Sequence, residues 1–144
     1  MSDLSVTAAN VLAGANAKKR TGIAGATITA GQAVYEDSSD SSKFKLADAN
    51  ASAATAKFAG IALHGASSGQ PLTIDEEDDD FTPGATLSLS AAADDGVYVL
   101  SGTAGGLAPI GDLASGWYPV VVMVAKSTTK AILKPIKGTA ALTA

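Results

Sequence analysis

The residues whose types and spacing come nearest to a catalytic arrangement are Gly65-Ala66-Ser67-Ser68-Gly69, a G-x-S-x-G pattern directly preceded by His64, the only histidine. In hydrolases with that pattern the serine sits on a sharp strand-to-helix turn and its histidine follows later in the chain. Here the histidine comes first, and Pro71-Leu72-Thr73-Ile74 after the motif reads as a strand. Both requirements of context fail, and the stretch reads as a β-turn. With no cysteine or second histidine to join it, His64 reads as a rim residue beside that turn. The six consecutive acids Asp75 to Asp80 raise a calcium reading. Such sites need about six or more oxygens around one point, and the helix-flanked calcium loop uses a glycine at its sixth position and a later glutamate. Neither stands at that spacing, so the run is expected to be a solvated, self-repelling loop. The glycine-rich stretches Gly22–Gly25 and Gly102–Gly106 lack the Lys-Ser/Thr of a phosphate loop. The chain therefore reads as non-enzymatic, with no cofactor, no metal site and no small-molecule substrate.

What positions these residues follows from composition and pattern. The 144 residues suit one domain, and Ala, Gly, Ser and Thr dominate them while aromatics make up only 5%. Small side chains fill little volume, so a thin core completed by oligomerisation is expected. With no cysteine, neither disulfides nor thiolate ligands contribute. The net charge of −4 argues against nucleic acid as a partner. Its distribution is uneven. Residues 1–25 set Asp3 against Lys18, Lys19 and Arg20, residues 26–120 hold thirteen acids against three lysines, and residues 121–144 hold four lysines and no acid. Basic ends on an acidic middle suit self-association, ends that grip an acidic surface, or scattered solvated charge. Asp3 stands where a signal peptide would be basic, and the most apolar run, Val120 to Ala125, is far short of the about 20 residues of a membrane helix. A soluble protein with no membrane partner is expected.

Along the chain, residues 1–26 read as an extended arm, with a short strand over Leu4–Val6, that orders when something docks it. Thr27–Glu36 alternates as a strand kinked at Gly31, Asp37–Ser42 makes a polar hairpin tip, and Lys43–Leu46 returns with Phe44 and Leu46 inward. Ala47–Lys57 is permissive for a short helix capped by Asp48 or Asn50, or for a loop. Phe58–Leu63 and Pro71–Ile74 are short strands. The pattern T-x-G-x-x-aliphatic recurs at Thr29 and Thr82, each time before a polar tip (Asp37–Ser42, then Ala91–Gly96) and a returning strand (Lys43–Leu46, then Val97–Leu100). Two similar β-units, about 27–80 and 81–136, follow from that echo. Trp117–Ala125 is the most hydrophobic strand, with Pro119 marking an edge or bulge, and Ala131–Ile136 closes the domain before a tail at 137–144. Trp117, Tyr118, Val121 and Met123 are expected in the core or at a subunit interface. The fold class is all-β, a small barrel-like domain of short strands with an N-terminal arm and at most one short helix.

Several strings in order resemble one family: T-A-G-Q-A-V-Y (29–35), K-F-K-L-A-D (43–48), G-I-A-L (60–63), S-S-G-Q-P-L-T-I (67–74) and T-A-G-G-L-A-P (103–109). Together, over about residues 18–136, they resemble the decoration, or cement, proteins of tailed-bacteriophage heads. The resemblance implies a compact β-tulip domain, commonly a homotrimer, on the outer surface of the virion, made in the cytoplasm of a bacterial host. It implies a major capsid protein as partner, whose copies are bridged after head expansion, and it brings no active site. The Asp75–Asp80 run departs from the family, where a shorter and less charged link is expected. On this reading Lys18, Lys19, Arg20 and Ile23 of the arm contact the capsid, and removing residues 1–20 leaves a folded domain that no longer binds it. The alternatives are a head-fibre, tail-associated or host-surface-binding β module, or a hydrolase acting through Ser67.

Overall fold

The longest strand lies where the sequence led us to expect a loop. In the computed structural model, which describes residues 3–87 and 96–137 (backbone only for Lys137), the acidic run forms the middle of a thirteen-residue strand, Pro71–Pro83. Leu72 and Ile74 on one side of the run and Phe81 on the other are fully buried and fix the strand at both ends. The acids between them are offset by cations on neighbouring segments: Arg20 binds Glu76, and Lys126 and Lys130 approach Asp80. Hydrophobic anchoring at both ends with cross-strand cations outweighs the self-repulsion that a run of like charge implies by itself.

Ten strands are described: β1 (Val11–Leu12), β2 (Lys18–Ile23), β3 (Ala33–Asp37), β4 (Lys43–Leu46), β5 (Phe58–Ala62), β6 (Pro71–Pro83), β7 (Val97–Leu100), β8 (Leu107–Pro109), β9 (Val120–Ala125) and β10 (Ala131–Lys137). Single 3₁₀ turns lie at Ala8–Asn10 and Ile110–Asp112. Eight strands run in the order β4-β3-β5-β6-β10-β9-β7-β8, antiparallel throughout, and the sheet curls into a half-barrel. The all-β class is thus as expected from the alternating pattern. At one end the curl tightens, because Ala24 after β2 bridges to Phe44 of β4.

Two hydrophobic clusters fill the curl. The smaller joins Ala24, Ile28, Val34, Phe44, Ala62, Ala66, Leu72 and Ile74. The larger includes Phe58, Ile61, Phe81, Leu100, Val122, Met123 and Leu133. All three phenylalanines of the chain are fully buried, so they supply bulk that the small residues lack. The boundary expected between two β-units, after Asp80, falls inside β6, which contributes to both clusters.

Residues 3–23 are not a loose arm. The Leu4 amide donates to the Leu107 carbonyl at 2.8 Å and the Thr7 amide to the Gly84 carbonyl at 2.7 Å. From there β1 pairs with β6 at Thr82 and Pro83, and β2 pairs with it from Pro71 to Glu77. The short strand expected at Leu4–Val6 is absent; Leu4 and Val6 instead pack against the larger core. The segment docks on its own chain because β6 is long enough to offer it an edge.

Other elements shift in smaller ways. The strand expected over Thr27–Glu36 starts only at Ala33, because Gly31 takes a left-handed φ of +90° and turns the chain. Residues 47–57 make successive turns rather than a helix, with Asp48 accepting the Asn50 amide. The tip at Asp37–Ser42 is as expected: the Ser39 amide donates to the Asp37 carboxylate and the Ser42 amide to its carbonyl. Of the second tip only Gly96 is described, and the tail beyond Lys137 lies outside the described residues.

Candidate functional site

The five strings that resemble the phage family meet in one backbone junction. The Gly31 amide donates to the Ala62 carbonyl at 2.8 Å and the Ala62 amide returns to Gln32 at 2.9 Å, joining the first string to the third. The Ala47 amide donates to Ala33 at 2.9 Å, and Gly105 links both, donating to Ala47 at 2.8 Å and accepting from Ala33 at 3.0 Å. The fourth string supplies a turn, with Gly69 at φ +90°, and the start of β6, and it joins the third where the Leu63 amide donates to the Thr73 carbonyl at 3.0 Å. Glycines here serve turns that a Cβ would strain, so the strings help hold the fold together.

The Ser67 turn confirms its reading from sequence in its geometry. The Ser67 amide donates to Gln70 Oε1 at 2.8 Å, and the chain continues into a strand. His64 is turned to backbone with both ring nitrogens: Nε2 accepts from the Thr73 amide at 3.0 Å, and Nδ1 lies 2.9 Å from the Gly65 carbonyl. The first contact fixes the tautomer, leaving Nδ1 as the donor. Among the described residues, no group of three or more His, Asp or Glu side chains is arranged to hold a metal ion.

The four residues expected to contact a capsid share β2 but differ in what they have free. Arg20 is committed within the chain: its guanidinium binds Glu36 and Glu76, the latter at 3.1 Å, and lies 5.4 Å from the centre of the Phe44 ring. Lys18 and Lys19 are exposed, opposite Glu77 and Asp75 in the β2–β6 register. Ile23 is 41% exposed. Of the residues left open between core and interface, Met123 is fully buried, Trp117 and Tyr118 pack partly buried against the larger core, and Val121 is half-buried. The indole of Trp117 lies over Gly102, where a Cβ would come within 2.7 Å of it.

Two features escaped the sequence. The outer face of the β9–β10 hairpin carries an apolar strip. Val124 and Ile132 are cross-strand partners, each 43% exposed, and Ile136, opposite Val121, is 64% exposed. Met123 and Leu133 beside them are buried, and in a run as evenly apolar as Val120–Val124 the buried face could not be told from the open one. The second is a pair of buried carboxyls. Asp75 is wholly buried and neither of its oxygens receives a hydrogen bond. Asp78 is 3% exposed and accepts from the amides of Gly14 at 2.7 Å and Asp80 at 3.0 Å. Burial pushes Asp75 up to about 8, the adjacent Asp78 carboxyl reinforces the rise, and Lys19 opposes it. Burial also acts upward on Asp78, but the neighbouring Asp75 carboxyl and the two amides outweigh it and hold this group low.

No protein-family model matches this chain, and no curated protein matches it.

Proposed function

We propose that this chain is a structural virion protein that binds the outside of a bacteriophage capsid and stabilises the head by bridging major capsid proteins, as a homotrimer. The observation that carries this reading is the ordered set of five strings, whose residues meet in one hydrogen-bonded junction of an all-β domain. Two surfaces support it. The Val124–Ile132–Ile136 strip offers apolar area to a subunit or lattice neighbour, and Lys18, Lys19 and Ile23 lie exposed along β2. Repetition over a lattice makes modest contacts at each site sufficient for retention.

The test is co-sedimentation of the purified protein with decoration-free heads, preceded by light scattering for its mass. A trimer that pellets with heads supports the reading. A monomer left in the supernatant overturns it and returns the question to a fibre-associated or host-surface module.

A further inference from the structure

The N-terminal segment crosses β6 where the two buried carboxyls lie. Between β1 and β2 the chain leaves the regular ladder, and Gly14 approaches so closely that a Cβ there would lie 2.5 Å from Asp78 Oδ1 and 2.9 Å from the Asp80 carbonyl. That approach lets the Gly14 amide reach Asp78 Oδ2 at 2.7 Å. At the first step of β2 the pairing register slips, setting Lys18 against Glu77 and Lys19 against Asp75. Residues 13–19 therefore cover the carboxyl pair, and they are half-buried or exposed throughout, whereas the partners of the same stretch in β5 and β10, Ile61 and Leu133, are buried.

We propose that Asp75 and Asp78 form a proton-dependent latch that holds residues 13–19 on β6, and that loss of the shared proton opens this segment. With Asp75 protonated, its hydroxyl donates to the Asp78 carboxylate, which anchors the Gly14 amide. Without the proton, two almost fully buried carboxylates would both carry charge on neighbouring parts of one strand, and like charges so poorly solvated repel. The facing charges are Lys19 from β2, Lys130 ahead of β10, which acts on Asp78, and Lys18 of β2 and Lys134 of β10, which line one groove with Asp78. On β5 the neighbour of Asp75 is Ile61, which carries no charge. Glu76 is engaged by Arg20, and Glu77 and Asp79 are exposed. Opening the least buried wall, residues 13–19, hydrates both carboxylates while the two cores stay closed.

The sign follows from linkage. The closed form binds a proton that the open form releases, so opening is favoured as pH rises from the ordinary carboxylate range to about 8 and levels off beyond. Hydrogen exchange of the intact protein, expressed as protection factors to remove the intrinsic effect of pH, reads this directly. Between pH 5 and 8 the protection of amides 13–20 is expected to fall about tenfold per pH unit and to stay below that of β9 throughout. In Asp75→Asn, whose amide donates to Asp78 without titrating, it is expected to stay flat. Constant protection in the wild type, an unchanged slope in Asp75→Asn, or protection of 13–20 equal to that of β9 would each overturn the latch. Should Asp75→Asn not fold, carboxyl carbon-13 titration of the wild type decides. A midpoint for Asp75 near 8 supports the latch, and one in the ordinary carboxylate range overturns it.

Discussion

The amide of Ala33 donates to the carbonyl of Gly105 at 3.0 Å, joining the first and last of the five strings across about half of the chain. Gly105 does this at a left-handed φ of +79°, with Leu46 Cδ2 3.0 Å and Gln32 Nε2 3.3 Å from where a Cβ would stand. Replacing it with Ala combines backbone strain with a tight contact. Gly105→Ala is expected to lower stability by about 1–3 kcal/mol in urea titration. Gly69→Ala is the comparison, since it has the same sign of φ but nothing within 4 Å of an added Cβ, and it should lose less.

Removal of residues 1–20 separates docking from tethering. The segment contributes Val11, Leu4 and Val6 to the larger core and pairs with β6 through β1 and the first half of β2. The truncated chain is expected to melt well below the full chain, or to aggregate through the uncovered edge of β6. Thermal melting with light scattering checks this. A truncated chain as stable as the full one would restore the loose arm expected from sequence.

Point substitutions on β2 then address binding without removing the strand. Lys18→Gln with Lys19→Gln is expected to leave the melting temperature within a few degrees and to weaken head co-sedimentation, most clearly at low salt. Arg20→Ala behaves in the opposite way. It loses two partly exposed ion pairs and the contact with Phe44, and is expected to cost about 1 kcal/mol in urea titration.

The hairpin strip predicts an association phenotype. Ile132→Glu and Ile136→Glu replace exposed side chains, so each should fold with an unchanged circular dichroism spectrum. Light scattering is expected to show dissociation to monomer if the strip joins subunits. Retained mass with lost head binding would place the capsid, not a sister subunit, on it.

The buried carboxyl also sets a pH dependence of global stability. The folded chain holds a proton on Asp75 that the unfolded chain releases, so the contribution is full below the ordinary carboxylate range and declines as pH rises to about 8. The urea midpoint should fall from pH 5 to pH 8 in the wild type and change much less in Asp75→Asn. Asp78, held low, contributes in the opposite sense only below that window.

The sequence by itself determined the class of structure. Alternation in Lys43–Leu46 and Val97–Leu100, the Asp-Ser hairpin tip and the turn glycines all encode strands and turns within a few residues, and such local signals depend little on the rest of the fold. Ser67 and His64 were legible as a turn for the same reason. Only the tertiary structure decided the fate of Asp75–Asp80 and of residues 3–23. Charge repulsion marks an acidic run as loop when it is read alone. Anchors on either side, cations from β2 and the β9–β10 turn and an edge long enough to pair with turn it into the strand on which both cores meet. Whether Lys18 or Arg20 keeps a free charge was equally out of reach. They are two positions apart in sequence, and what separates them is the placement of Glu36, Glu76 and Phe44 on three other strands.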